Sequence, residues 1–302
     1  MRSKITTAVI GTGNWGQKII KVVYKYTNLK YCCNNSNLAV LRKIKRSCPK
    51  IILTQKISDV IEDSSVDAVF IATPISTHYH IARKFLERGK KIFLEKPMTD
   101  SSKDAKKLVD LENKGSFIFV GNIFLYSKIF RKLKSMAGSD PIRNADFVWL
   151  KYGTFKENIA DNLLSHDISI IQALTKNQDF RKLEILKRNE SFNLNNSLQL
   201  RLYYDNFYAS FYLDRVSPIK AKISTFYTRS GRVVAWKDNG LFERKKGKGF
   251  IRIVKESKKE PLENEVKEFI GCLKSGKKPL SNASFAYGTV RQLEKIKKWL
   301  KH

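Results

Sequence analysis

The sequence predicts an α/β fold in two parts, and three observations carry the prediction. A β-branched run from Lys4 to Ile10 stops at Gly11-Thr12-Gly13-Asn14-Trp15-Gly16 and resumes as Ile19, Ile20, Val22 and Val23 at mainly helical spacing; this is strand, glycine turn, helix. Short apolar runs then alternate with amphipathic stretches as far as Asn122, as in a parallel sheet with crossover helices. Beyond that point short strand-like runs dominate, with alternation in Leu198, Leu200 and Leu202, and helical stretches are few. The expected architecture is an N-terminal Rossmann dinucleotide-binding domain over residues 1–122. A C-terminal α+β domain with a mixed, largely antiparallel open sheet follows over residues 123–302.

The elements follow in order. In the glycine turn the first glycine permits the sharp bend, the second lets backbone approach a pyrophosphate, and the third packs helix on strand. The amides of the helix N-terminus then hold the anion. The second strand, Leu29 to Cys33, ends in Asn34-Asn35-Ser36-Asn37 and lacks the carboxylate that would bind an adenosine ribose. No Asp or Glu occurs before Asp59. Asn34 could still bond a ribose hydroxyl, and with Ser36, Arg42 or Lys43 nearby the pattern admits NAD or NADP and leans to NADP. Ile57 to Ser64 reads as a short helix. The strand Val66 to Ala72 runs into Thr73-Pro74, a fixed polar turn at the carboxyl edge. A helix is expected from His78 to Arg88, closed by Gly89. Next comes Lys90-Lys91-Ile92-Phe93-Leu94-Glu95-Lys96-Pro97, a buried strand that ends in a carboxylate, an amine and a proline. Ligands of open α/β sheets bind outside the carboxyl ends of strands, so Lys96 reads as a chemical group at that edge, with a surface loop lysine as the alternative. A helix over Asp104 to Lys114 and a strand over Phe117 to Val120, ending in Gly121-Asn122, complete the first half.

In the second half, strands are expected at Ala145 to Tyr152, Leu183 to Arg188, Ser197 to Tyr204, Tyr208 to Leu213, Lys220 to Tyr227 and Arg232 to Trp236. A helix over Asn162 to Leu174 lies between the first two, and two further helices carry Leu262, Val266 and Phe269, then Val290, Leu293 and Ile296.

Composition narrows the function class. At 302 residues, with 42% hydrophobic and 11% aromatic content, the chain is a folded protein with material for two domains. No run approaches the ~20 apolar residues of a membrane span. The apolar start is too short for a signal peptide, and a cytoplasmic location is expected. Cys32, Cys33, Cys48 and Cys272 show no CxxC spacing, so neither a zinc site nor a disulfide framework is expected. The net charge of +30 comes from 58 basic and 28 acidic residues spread along the chain. The densest cluster, from Arg244 to Lys259 around Phe250, reads as a solvated hairpin, and nucleic acid is not expected as a partner.

Taken together, Gly11 to Gly16, Ala72-Thr73-Pro74 with Thr77-His78, Glu95-Lys96-Pro97, and Val120-Gly121-Asn122 with Phe124-Leu125-Tyr126 resemble the successive motifs of the Gfo/Idh/MocA oxidoreductases. The resemblance implies an NAD(P)-dependent enzyme acting on a sugar, cyclitol or nucleotide sugar, assembled as a homodimer or homotetramer through the second domain's sheet. It implies cofactor contacts from Gly11, Gly13, Asn14, Trp15, Gly16, Asn34, Thr73, Pro74, His78, Glu95, Lys96 and Asn122. It places Lys96, His166 and the residue four before that histidine around the reacting hydroxyl. That residue is Asn162 here, where the family usually has an aspartate; Asp161 is adjacent in sequence but about 100 degrees round a helix. Lys96, Tyr126, Asp161 and His166 are the implied substrate contacts. A helix-capping role for His166-Asp167 is the alternative. The implied chemistry is hydride transfer, with Lys96 or His166 taking the hydroxyl proton. The missing aspartate also admits a catalytically impaired NAD(P)-binding sensor or assembly protein.

Overall fold

A computed structural model describes residues 4–35, 38–153, 158–176, 179–191 and 194–300; Ser36, named above for a 2′-phosphate, lies outside the described residues. The chain divides into two compact units, Met1–Ile123 with Leu262–Val290 and Phe124–Pro261 with Arg291–His302. The first stretch alternates β1 (Thr6–Ile10), α1 (Asn14–Tyr26), β2 (Asn28–Cys33), α2 (Leu38–Ser47), β3 (Ile52–Thr54), α3 (Ile57–Glu62), β4 (Ala68–Ile71), α4 (Ile75–Leu86), β5 (Lys91–Glu95), α5 (Ser102–Asn113) and β6 (Ile118–Gly121). Its strands form one parallel sheet in the order β3-β2-β1-β4-β5-β6. The order reverses between β1 and β4, which is the switch point where such sheets bind ligands.

After a 3-10 turn, Ile123–Tyr126, come α6 (Lys128–Ser139) and β7 (Ile142–Leu150), then a π-helical turn, Ala160–Leu164, that leads into α7 (Ser165–Thr175). There follow β8 (Lys182–Ser191), β9 (Leu194–Tyr203), β10 (Tyr208–Asp214), β11 (Ala221–Thr228), β12 (Val233–Lys237), β13 (Gly240–Lys245), β14 (Gly249–Lys255), α8 (Glu260–Ser275) and α9 (Ala283–Trp299). The second sheet runs β14-β13-β12-β11-β7-β10-β9-β8. Only β7 and β10 pair in parallel; the other described pairs are antiparallel, so the sheet is mixed and largely antiparallel.

Alternation decides both cores. In the first unit Val69, Ile71, Ile92, Leu94, Ile118 and Val120 share a buried cluster with Phe85 and Leu86 of α4 and Leu108 of α5. Because successive strand residues point to opposite faces, Phe70, Phe93 and Phe119 emerge on the other face. There they meet the edge of Phe269 from α8 at ring distances of 4.9, 5.7 and 5.6 Å. Burying each such ring contributes about 1.5 to 3 kcal/mol. A strand covered on both faces reads as a continuous apolar run, and β4 is buried at every position. In the second unit Leu198, Leu200 and Leu202 are all fully buried, and Phe147 stacks on Phe211 at 5.2 Å, its partner in the β7/β10 register.

Two expectations about helix starts need correction. The helix expected from His78 begins at Ile75, because Pro74, with φ −57, already sits as its N-cap and a proline's fixed φ suits helix entry. The helix expected from Asn162 is α-helical only from Ser165; Ala160–Leu164 forms a wider π turn, so the i, i+4 argument that pairs Asn162 with His166 does not apply as stated. The basic cluster lies on the β13/β14 hairpin and the segment after it, where Arg244 to Phe250 is exposed. Among the described residues no helix is long and apolar enough to cross a membrane.

Candidate active site

The glycine turn leaves β1 at the switch point. Gly11 has φ +91 and donates its N–H to Cys33 O at 2.9 Å. A Cβ on Gly11 would lie 2.4 Å from Ala72 O, and one on Gly16 would lie 2.1 Å from Gly11 O; both glycines are therefore demanded by the turn itself. Gly13 differs: it is exposed, and nothing lies within 4 Å of a Cβ built there. Gly13 is the N-cap of α1 without a side-chain cap, and the first turn of that helix holds no acid. Uncapped amides and the positive end of the helix dipole favour an anion there. Open approach over the second glycine and an uncapped helix end fit a dinucleotide pyrophosphate. Asn14 is exposed beside it. Asn34, at the end of β2, donates its side-chain N–H to Thr12 Oγ1 at 2.5 Å and so is tied to the same turn. Arg42 and Lys43 are exposed on α2.

The carboxyl ends of β4 and β5 are tied together through His78, and that of β6 lies beside β5 in the sheet. Thr77 Oγ1 donates to Pro74 O at 2.7 Å and lies 2.8 Å from Thr73 Oγ1. His78, 1% exposed, places Nε2 2.9 Å from Thr73 O and Nδ1 3.0 Å from Pro97 O, so one imidazole joins the turn after β4 to the turn after β5. Burial pushes its pKa down, against the pull of the Pro97 and Thr73 carbonyls. Lys96 follows β5, half-buried, joined to Pro97 by a cis peptide. Its amide donates to Glu95 Oε2 at 3.3 Å, and the Trp15 indole N–H donates to Glu95 Oε1 at 2.6 Å. Glu95 is buried, and burial raises its pKa despite the Trp15 bond and the Lys96 charge. Asn122, 3% exposed, directly follows β6.

A second cluster belongs to the second unit. The His166 ring meets Phe124 edge-on at 4.9 Å and stacks on Trp149 at 5.5 Å. Lys222 Nζ lies 3.2 Å from the Phe124 ring centre, 3.9 Å from that of Trp149 and 3.9 Å from Asp167 Oδ1. An ammonium over two aromatic faces is held by their quadrupoles. Asp167 is 1% exposed, and burial pushes its carboxyl up to about 7 against the pull of Lys222. Asp161 lies in the π turn, where Lys297 Nζ donates to it at 2.9 Å. Asn162 is half-buried and donates its amide to Asn158 O at 3.0 Å. Tyr126 is buried in the 3-10 turn.

The structure thus brings Trp15, Glu95 and Lys96 together, joins Thr73 to Pro97 through His78, and sets His166 in an aromatic frame. Sequence reasoning missed Glu265, Lys222, Phe124 and Trp149 as neighbours of these groups. Glu265 carried a signal: it occupies a core-facing slot three residues after Leu262 and four before Phe269, in a stripe that is otherwise apolar. Lys222 carried none, because its partners come from β7, α7 and the 3-10 turn.

Comparison with known proteins bears on both units. The model of the oxidoreductase family with an NAD-binding Rossmann fold, Gfo/Idh/MocA, matches residues 5–122. The chain is 33% identical over 108 residues to scyllo-inositol 2-dehydrogenase (NAD(+)) of Bacillus subtilis, covering 35% of this chain and 32% of that protein. It is 28% identical over 116 residues to an uncharacterized oxidoreductase of Schizosaccharomyces pombe, covering 35% of this chain and 30% of that one. These matches span about a third of the length of the curated relatives. The whole fold is shared with UDP-N-acetylglucosamine 3-dehydrogenase GnnA from Acidithiobacillus ferrooxidans, with a TM-score of 0.88 at 16% identity over 98% of this chain and 97% of that one.

Proposed function

We propose that the chain is an oxidoreductase moving a hydride between a nicotinamide and a secondary alcohol of a sugar, cyclitol or nucleotide sugar, a reading supported by the match of residues 5–122 to the Gfo/Idh/MocA NAD-binding Rossmann model. The observation that carries this reading is the 2.6 Å bond from Trp15, in the glycine turn, to Glu95, whose neighbour is Lys96. It ties the glycine turn to the residue before Lys96, which supports a lysine on the side where the turn would deliver the nicotinamide. Bound there, the dinucleotide supplies the hydride acceptor in one direction and the donor in the other.

The chain's own residues supply the rest. Lys96 holds the substrate oxygen; as an amine it takes the hydroxyl proton, and as an ammonium it polarises a carbonyl. His166 is the acid-base candidate of the second unit, its ring plane fixed by Phe124 and Trp149. A nucleotide sugar is the favoured substrate class, because basic groups suit a phosphate-bearing ligand. NADP is favoured over NAD: Asn34 carries no charge to repel a 2′-phosphate, and Arg42 and Lys43 are exposed nearby in sequence. NAD binding more than about tenfold tighter than NADP, a difference of ~1.4 kcal/mol, would overturn that preference. Assembly as a homodimer or homotetramer through the second sheet is supported by Leu186 and Tyr212, which leave 48% and 40% of their surface exposed; light scattering tests it.

One observation favours a second reading, an impaired NAD(P)-binding sensor or assembly protein. Asn162 stands where an aspartate is usual, and the adjacent Asp161 is engaged by Lys297. The test is to follow reduced-nicotinamide absorbance with NAD or NADP and a panel of nucleotide sugars and inositols. Turnover supports the enzyme, and tight dinucleotide binding without any turnover supports the sensor.

A further inference from the structure

Glu265 is 0% exposed, and among the described residues neither of its carboxyl oxygens has a hydrogen-bond partner. Its place follows from two periodicities. On α8, Glu265 and Phe269 are four residues apart and share a face, separated by about 6 Å along the axis. On β5, Phe93 and Glu95 are two residues apart and share a face, separated by about 6.6 Å. Phe269 packs against Phe93 at 5.7 Å, and Leu273, one turn further along α8, shares a pocket with Lys91 at the start of β5; the helix therefore runs antiparallel to the strand, which brings Glu265 to the level of Glu95. Gly121, beside Glu95 in the β5/β6 register, makes the room: a Cβ there would lie 2.9 Å from the Phe93 ring and 3.1 Å from Glu95 Oε1. Two buried carboxyl groups therefore meet at the carboxyl edge, immediately before Lys96.

We propose that Glu265 is a positioning residue for the Glu95-Lys96-Pro97 turn: it stays an uncharged acid behind Glu95, leaving Glu95 alone to hold the Trp15 indole and the Lys96 amide. Burial without a partner and the like charge of Glu95 both raise the Glu265 pKa, as expected of two carboxyls that share a site. The groups facing the pair are few in kind. α1 presents the neutral indole of Trp15, the chain after β5 presents the Lys96 charge, β4 and β6 present Phe70, Phe119 and Gly121, and α8 presents Phe269. Among the described residues no cation acts on Glu265, so a second negative charge here would compete with Glu95 for Lys96. That Lys96 marks the nicotinamide end rests on the proposed function, whereas the pairing of the two acids does not.

The experiment compares the full chain with its Glu265→Gln variant, whose amide mimics the neutral acid, by thermal unfolding and by the Trp15 indole N–H resonance, identified with Trp15→Phe. At pH 4, below the ~4.3 of an unfolded glutamate, the two proteins should unfold within about 2 °C of each other. Between pH 4 and 9 the wild type should fall behind the variant by more than about 4 °C, a shift that reports differential ionisation. The Trp15 resonance should follow Glu95 in both proteins and show a second, more alkaline inflection only in the wild type. A Tm difference constant with pH, a second inflection that survives in the variant, or a variant unfolded at pH 6 would each overturn the proposal. Neither readout needs a cofactor or a substrate, so an inactive enzyme would leave this result standing.

Discussion

Trp15 and Glu95, 80 residues apart in sequence, meet through an indole N–H that donates to a buried carboxylate oxygen at 2.6 Å. This bond joins the glycine turn to the strand end that carries Lys96. Trp15→Phe keeps most of the apolar area and removes the donor. The orphaned oxygen should cost about 1 to 3 kcal/mol in urea unfolding. It should also push the Glu95 carboxyl further up, because the Trp15 bond is the largest of the pulls that lower it, ahead of the Lys96 charge and the Lys96 amide. Unchanged stability would show that the bond contributes nothing.

The three glycines of the turn should separate by variant. Gly16→Ala forces a Cβ to within 2.1 Å of Gly11 O, so the folded state must distort and the melting temperature should drop by several degrees. Gly13→Ala meets open space and keeps φ −62, which alanine tolerates. Its stability should hold while dinucleotide affinity falls about tenfold or more, because the methyl blocks approach to the backbone. Equal effects of the two variants on stability and on binding would contradict this division.

Asp167 gives a pH signature in the second unit. Its folded pKa is raised to about 7 by burial, against about 3.9 for an unfolded aspartate. The neutral form is thus the one the fold favours. That stabilisation is complete below pH ~4 and is lost as pH rises towards 7. Asp167→Asn should gain stability relative to wild type across that window and level off above it. Removing the cation instead, by Lys222→Met, should destabilise at pH 8, where Asp167 is ionised. The double variant should be less destabilised than the sum of the single ones, as expected for a buried pair. Strict additivity at pH 8 would show that the 3.9 Å approach carries no coupling.

Much of this was legible in the sequence, for reasons that can be named. Gly11 and Gly16 are readable because the steric demand of the turn admits no other residue, and Leu198, Leu200 and Leu202 because alternation maps directly onto a half-buried strand. β3 escaped because Ile52–Thr54 has only three residues, too few to show a period; α2 was readable, since Leu41, Ile44 and Cys48 are buried at spacings of three and four among and just after the Lys and Arg of Leu38–Ser47. The start of α4 is hidden because Thr73-Pro74 carries the signal of a turn, whereas Pro74 caps a helix. Glu265 and Lys222 escaped because their significance lies in partners from distant elements. A charged residue on an apolar stripe was the available warning, and only the helix-on-sheet alignment says which strand residue it faces.

The most direct test of the central claim is turnover by Lys96→Ala, measured as reduced-nicotinamide absorbance on whichever sugar the wild type accepts, beside dinucleotide affinity by titration. A lysine that holds the reacting oxygen predicts a loss of about a hundredfold or more in kcat, with the dinucleotide dissociation constant changed less than about threefold, under ~0.7 kcal/mol. Turnover within a few-fold of wild type would contradict the account.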